Sequence, residues 1–395
     1  MAKVLFVNGV VHGHINPTLP LVKELVSRGE KVFYFSTAEF REKIEKTGAE
    51  FIDYGDRMVQ FLGSYRPKGN HPFFTLIEFL LEIDRIIISK VMEKAEGNNY
   101  DYIIHDAMFG GGNILSKKLG IPAVCSCTSF AMNKLPMPDQ MLSRGAHPQL
   151  DGIYHELGAA AGEWGTGVPG LMDIFFKKAD LNVVFTSKMF QPEGETFDGS
   201  FRFVGPSISE RQEKLEFPYE RLKGGKVIYI SMGTINNNCT GFYQKCMEAF
   251  KEEDYKVVLS VGNKVDIASL GSIPPNFIAG NYVPQLEILK LADAFVSHGG
   301  LNSVSEALYY GVPVAAIPMA NDQPAVAGRL EALGAGIKLR MDEITPQILR
   351  GTVYKLLTDE SYRSASRTVG KSFIEAGGYK AAVDAIQEFI GSRRT

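Results

Sequence analysis

One tryptophan, Trp164, and four cysteines are all that a chain of 395 residues carries of those two types. Four thiols over this length (Cys125, Cys127, Cys239 and Cys246) make no disulfide framework of the kind that holds small secreted domains together. Cys125-x-Cys127 lacks nearby residues to complete a metal site, so buried thiols and a reducing, cytoplasmic compartment are expected. Charge of one sign is missing as well: 42 basic residues against 45 acidic ones leave a net −3. Nucleic-acid binding draws on clustered Lys and Arg, so that partner class is not expected. No run reaches the ~20 apolar residues of a membrane span. The best stretch, 73–92, is broken by Glu78, Glu82, Asp84 and Arg85. Met-Ala-Lys followed by the apolar run Val4 to Val7 is too short for a signal-peptide core and lacks a cleavage pattern, so no signal peptide is expected.

What is present is ordinary globular composition, 45% hydrophobic and 22% charged, at a length that suggests two to three domains of roughly 150 residues. Short apolar runs alternate with longer helical periods, the pattern of parallel βα units. Strands are expected at 3–8, 31–35, 51–54, 102–105, 122–126 and 181–185, and the segment 201–206 closes the first half. Asn16 as N-cap and Pro17 as first helical residue predict a helix ending before Gly29. A long amphipathic helix follows over 73–95, and Gly110 to Gly112 lead into another that ends at Gly120. Between Phe130 and Lys178 the alternation fails, leaving helical pieces and loops of the sort that carry either specificity or no function. The charged stretch 207–225 reads as a linker. The rhythm then restarts, with strands at 227–231, 256–260, 277–279, 294–297 and 314–317 and helices to the end. The expected architecture is therefore α/β, with two Rossmann-like parallel-sheet domains, 1–206 and 226–376, facing a central cleft. A last helix within 377–395 is expected to pack back on the first domain.

Ligands of open parallel sheets bind beyond the carboxyl ends of the strands. That rule selects Asn8, His12, His14 and Asp106 in the first half, and Gly233, Thr234, His298 to Ser303 and Asn321 to Gln323 in the second. In Ser297-His298-Gly299-Gly300-Leu301-Asn302-Ser303 a strand ends, two glycines let the backbone approach a ligand, and Asn302 or Ser303 is placed to cap a helix. Backbone N–H groups and the helix dipole there suit a phosphate. His298 would add a hydrogen bond, and Glu306, one turn on, would take ribose hydroxyls. Taken alone, the segment reads equally well as an ordinary strand-to-helix turn. It is neither a Gly-x-Gly-x-x-Gly nor a Walker loop, so nicotinamide and ATP are not indicated.

Its neighbours make the segment far more specific. Asn281-Tyr282-Val283-Pro284-Gln285 precedes it and Asn321-Asp322-Gln323-Pro324 follows it. The whole resembles the nucleotide-sugar signature of the inverting UDP-glycosyltransferases of GT-B fold, nearest to the bacterial macrolide and flavonoid enzymes. Gly13-His14-Ile15-Asn16-Pro17 and Ser231-Met232-Gly233-Thr234 match the same family, so the resemblance spans essentially the whole chain. It implies that Tyr282 stacks on uracil while the Val283 backbone pairs with the base, and that Gln285 and Glu306 bind the ribose. It also implies that Gly233, Thr234, His298, Gly300, Asn302 and Ser303 hold the diphosphate, with Asp322 and Gln323 on the donor sugar. His14 would be the catalytic base and Asp106 its orienting partner. Tyr282 and Leu301 stand where plant members carry Trp, which bears on donor preference.

The chemistry agrees with that assignment. Histidine is a suitable base near neutral pH, a carboxylate on its other nitrogen fixes the tautomer, and the leaving diphosphate gains charge where helix N–H groups point. Attack opposite the diphosphate turns an α-linked donor, UDP-glucose being the expected one, into a β-glycoside. The chain has no Asp-x-Asp, with which GT-A enzymes hold a cation, so no metal and no cofactor are expected. The expected partners are the UDP-sugar and an aromatic or macrolide aglycone, and the expected state is a monomer. His12, Phe130, Met132, Met137 and Met141 are candidate acceptor-lining residues. A solvated loop histidine and core packing account for them as well. His105 reads as packing, Gly110 to Asn113 as a tight turn, and Trp164 as packing or an acceptor-side reporter. The rival readings are a UDP-sugar 2-epimerase or cell-wall glycosyltransferase of the same fold, a dinucleotide oxidoreductase, and a non-catalytic nucleotide-sugar binder.

Overall fold

The computed structural model describes residues 1–209, 216–233 and 237–393. The chain divides into two compact units, Met1–Ile208 with Gly377–Thr395, and Ser209–Ala376.

The first unit is built on β1 (Lys3–Val7), β2 (Lys31–Ser36), β3 (Glu50–Asp53), β4 (Tyr102–Asp106), β5 (Ala123–Cys127), β6 (Leu181–Val184) and β7 (Phe201–Phe203), all parallel, in the order β3-β2-β1-β4-β5-β6-β7. The middles of these runs are mostly apolar because helices cover both faces of the sheet, while polar residues such as Lys3, Lys31 and Asp106 stand at strand ends. Successive residues of β1 enter opposite layers: Leu5 and Val7 join one core, Val4 and Phe6 the other. The helix Pro72–Ala95 covers the first face with Ile77, Leu80, Leu81, Ile87 and Val91. On the second face lie the helix Thr18–Ser27 and the final helix Gly378–Ser392, whose Ala382, Val383, Ile386 and Ile390 are buried there. The Gly378 N–H donates to the Val204 carbonyl, and Arg28 pairs with Asp384.

The second unit repeats the topology with β8 (Lys226–Ser231), β9 (Tyr255–Ser260), β10 (Phe277–Gly280), β11 (Ala294–Ser297), β12 (Val314–Ala316) and β13 (Gly336–Lys338), in the order β10-β9-β8-β11-β12-β13. An aromatic pair stacks on the first strand of each sheet: Phe6 of β1 on Tyr34 of β2 at 4.6 Å, and Tyr229 of β8 on Phe295 of β11 at 4.7 Å. In both sheets the order reverses beside the first strand, the switch point at which ligands bind in this class of fold.

Local differences from the sequence reading have physical causes. Asn16 is helical, with φ −55° and ψ −43°, and is the C-cap of a short helix, His12–Ile15, rather than an N-cap; Pro17 is the N-cap of the next helix. The helix after β11 starts at Leu301 with Gly300 as its N-cap, so neither Asn302 nor Ser303 is the cap. The three residues of β13 are too few to show a period of two in sequence. The irregular stretch contains a helix of 17 residues, Pro148–Trp164, capped by the His147 imidazole. Trp164 closes that helix 4% exposed in the first core, so it is a packing residue. Part of the expected linker, 210–215, lies outside the described residues.

Candidate active site

The first unit holds its polar groups at the carboxyl ends of β1, β4 and β5. Asn8, fully buried just past β1, sends Nδ2 to the His14 carbonyl (3.1 Å), to Thr18 Oγ1 (3.2 Å) and to the Tyr34 hydroxyl (2.6 Å). The Tyr54 hydroxyl donates to the Asn8 carbonyl. This network fixes the turn from which His14 projects. Asp106, the last residue of β4, is fully buried, with Oδ2 2.7 Å from His14 Nδ1. Its Oδ1 accepts the N–H groups of Met108 (2.7 Å) and Phe109 (3.0 Å). Burial opposes ionisation here, yet His14 and those two N–H groups hold the carboxyl below its ordinary value. An ionised Asp106 assigns the proton to Nδ1 and the lone pair of the neutral ring to Nε2.

Two further groups on this histidine come from places the sequence reading did not name. Thr128 Oγ1, just beyond β5, lies 3.0 Å from Nδ1, and the Phe109 ring meets the imidazole edge-on at 5.1 Å. Thr128 obeys the same carboxyl-end rule that selected Asp106, so that rule applied to β5 finds it. His105 points to the other side of β4; burial lowers it to about 4, consistent with a packed neutral ring. Its ring occupies the space a Cβ on Gly112 would need, which explains the glycine opening that helix.

The second unit assembles its polar residues around His298, at the end of β11. Gly233 and Gly300 flank the ring so closely that a Cβ on either would come within 2.6 Å of it. Gly233 also has φ +76°, a conformation that favours glycine. Burial lowers His298 to about 4, so at neutral pH the ring is uncharged. The expected positive charge at a phosphate therefore falls to the helix Leu301–Tyr309, whose first turn carries Asn302 and Ser303. Thr234 lies outside the described residues. Behind this helix, the Tyr229 hydroxyl donates to Gln285 Oε1 (2.9 Å) and Gln285 Nε2 donates to Glu306 Oε2 (2.5 Å), so the predicted ribose pair is one bonded chain.

Tyr282 is 56% exposed, on a loop that Asn281 anchors through the Gly262 and Val265 carbonyls; Val283 beside it is half-buried. Beyond β12, Asn321 adopts φ +58°, rare outside glycine, directly before Asp322 at the N-cap of the helix Gln323–Ala332. Gln323 Oε1 accepts the N–H groups of Met319 (2.8 Å) and Ala320 (3.1 Å), which assigns its amide nitrogen as the donor.

The candidate acceptor residues are more scattered. His12 Nε2 lies 3.0 Å from Glu39 and its ring meets Phe40. Phe130 is buried against Phe190, Met132 and Met137 are half-buried against the first core, and Met141 is exposed. A Gly-x-Gly-x-x-Gly does occur, at Gly165, Gly167 and Gly170, but it follows a helix rather than a strand, so it makes no dinucleotide turn. Among the described residues no three His, Cys, Asp or Glu side chains are grouped to hold a metal ion.

Residues 244–376 match the Erythromycin biosynthesis protein CIII-like C-terminal domain family. The chain is 37% identical to the uncharacterized UDP-glucosyltransferase YojK of Bacillus subtilis, over 99% of this chain and 98% of that one. The chain belongs to the GT-B UDP-glycosyltransferase family. The glycosyltransferase is also 35% identical to the NDP-glycosyltransferase YjiC of Bacillus licheniformis, over 96% and 95% of the two chains. Its structure superposes on that of CalG4, the calicheamicin glycosyltransferase, with a TM-score of 0.87 at 28% identity, covering 99% and 98%. No described helix of the glycosyltransferase is long and apolar enough to cross a membrane.

Proposed function

We propose that this glycosyltransferase is an inverting, metal-independent O-glucosyltransferase that moves glucose from UDP-glucose to a hydroxyl of a small hydrophobic acceptor such as a flavonoid or macrolide. The observation that carries the reading is the His14–Asp106 pair at 2.7 Å, with the carboxylate buried and ionised. A histidine held in this way presents Nε2 as a base. The acceptor hydroxyl gives its proton to Nε2 as its oxygen attacks the anomeric carbon. The bond from that carbon to the diphosphate breaks, and the electron pair leaves with UDP. Attack from the opposite face inverts an α-linked donor to a β-glycoside.

The donor would lie on the second unit, with Tyr282 and Val283 on uracil, Gln285 and Glu306 on ribose, and Asp322 and Gln323 on the sugar. The helix starting at Leu301, with Gly233, Thr234, His298, Gly300, Asn302 and Ser303, would meet the charge that develops on the diphosphate. His12, Phe130, Met132, Met137 and Met141 remain the acceptor-side assignment. A UDP-glucosyltransferase and a calicheamicin glycosyltransferase among its likenesses support the donor and the small-molecule acceptor. Low cysteine usage and free thiols buried at Cys125, Cys127 and Cys246 support a cytoplasmic compartment, and the enzyme is proposed to work as a monomer without cofactor.

The test is UDP release and product mass after incubation with UDP-glucose and a panel of phenols and macrolides. A β-glucoside is the expected product with at least one acceptor, in the presence of a chelator. UDP binding without transfer to any acceptor would reduce the protein to a nucleotide-sugar binder, and an α-glycoside would overturn inversion.

A further inference from the structure

The apolar face of the helix Pro72–Ala95 carries an aspartate at its centre. Asp84 is fully buried, with Leu80, Leu81, Ile83, Ile87 and Ile88 buried around it on the same helix. A buried carboxylate costs stability unless it is paired and hydrogen-bonded, and an apolar residue would pack as well. Its partner is Lys177, 2% exposed, with Nζ 3.2 Å from Oδ2. Among the described residues, apart from one bond to the Ile174 carbonyl, the remaining side-chain hydrogen bonds of this pair go to one short loop. Asp84 Oδ1 accepts the N–H groups of Gly110 (3.3 Å) and Gly111 (3.0 Å). Lys177 Nζ donates to the Met108 carbonyl (2.6 Å), and the Lys177 main-chain N–H donates to the Ala107 carbonyl (2.7 Å). The same loop turns its Met108 and Phe109 N–H groups the other way, onto Asp106 Oδ1.

We propose that Asp84 and Lys177 are positioning residues for the His14–Asp106 pair. They hold the loop 107–111 from behind, and so aim its two N–H groups at Asp106 and its Phe109 ring at the imidazole. The pair touches no reacting atom; it acts through the orientation of a carboxylate. The proposal rests on the reading of His14 as the base. Burial pushes the Asp84 carboxyl up, while Lys177 and the two glycine N–H groups pull it down. The hold consists of hydrogen bonds that persist whichever partner carries the proton.

Two double variants test this. Asp84→Leu with Lys177→Met buries no charge and removes the hold. Asp84→Asn with Lys177→Gln keeps an acceptor for the glycine N–H groups and a donor for the Met108 carbonyl. The apolar pair should lower kcat on an alkyl alcohol by about tenfold or more, a fraction of the ~100- to 10000-fold a positioned base supplies. Donor KM should not change, and a phenol, which needs the base less, should lose under about threefold. The downfield proton resonance of His14 Nδ1, assigned by its loss in His14→Ala, should move upfield or vanish. The amide pair should keep both the resonance and the rate. Equal losses on alcohol and phenol, or an unmoved resonance in the apolar pair, would leave Asp84 and Lys177 a purely structural pair. Should the apolar pair not fold, the amide pair decides: loss of its resonance or of its alcohol rate overturns the proposal. Full activity of His14→Ala would instead refute the base reading, and the resonance would still report whether the pair orients that ring.

Discussion

Replacing Asp106 with Asn removes a charge and almost no volume. The new side chain keeps a carbonyl oxygen for the N–H groups of Met108 and Phe109, so the loop stays held. Where Oδ2 stood, 2.7 Å from His14 Nδ1, it places an amide NH2, a donor facing a donor. The ring escapes by moving its proton to Nε2. Thr128 Oγ1, 3.0 Å from Nδ1, is placed to donate to the lone pair exposed there. The basic nitrogen is then the wrong one. The carboxylate is also missing when the imidazolium forms. Unit charges about 4 Å apart at an effective dielectric near 20 attract by about 4 kcal/mol. At 1.36 kcal/mol per tenfold, that is roughly a thousandfold. Tautomer and charge are two aspects of one interaction, so the expected fall in kcat on an alkyl alcohol is about 100- to 1000-fold. The assay is initial UDP release at saturating UDP-glucose, with a phenol in parallel that should lose much less. A folded Asp106→Asn protein whose alcohol kcat stays within about threefold of wild type would refute the dyad.

Three further outcomes are expected. Tyr282→Ala removes an exposed aromatic face and should weaken UDP binding by about 10- to 100-fold in calorimetry, since base stacking is worth about 1–3 kcal/mol; unchanged affinity would move uracil elsewhere. Gln323→Glu keeps an acceptor for the Met319 and Ala320 N–H groups but loses the amide donor, so donor KM should rise by about 3- to 10-fold with Tm unchanged. A drop in Tm with unaltered KM would make Gln323 a turn residue only. His105 and His298 are both lowered from 6.5 to about 4, so the unfolded chain binds more protons between those values. Stability held above pH 6.5 should be lost as pH falls towards 4, by up to about 3 kcal/mol for each histidine. Urea midpoints across that range should show the slope, and substituting either histidine with Gln should flatten it.

The sequence by itself was enough for two alternating βα arrays, because buried parallel strands are written as short apolar runs and the covering helices as a longer period. The strand-end rule also picked out His14, Asp106 and His298 from the linear order, and the spaced motifs placed the chain in its family. Capping was read less well. Asn16 and Asn302 have the right chemistry for N-caps, but the backbone around each is already helical, and Gly300 caps the second helix with no side chain at all. The contacts that give these residues their character are tertiary. Asp106 and His14 are 92 residues apart, and Thr128 reaches the same nitrogen from another strand. Asp84 looked like one of the charges that break an apolar stretch; only the packing of its helix against the loop after β4 gives it Lys177 and two glycine N–H groups as partners. Trp164, the scarcest residue, was open between a binding role and packing until its helix closed over the first core. Backbone periodicity is local and survives in a string of letters. Which side chains meet across a sheet depends on strand order and register, and these exist only once the chain has folded.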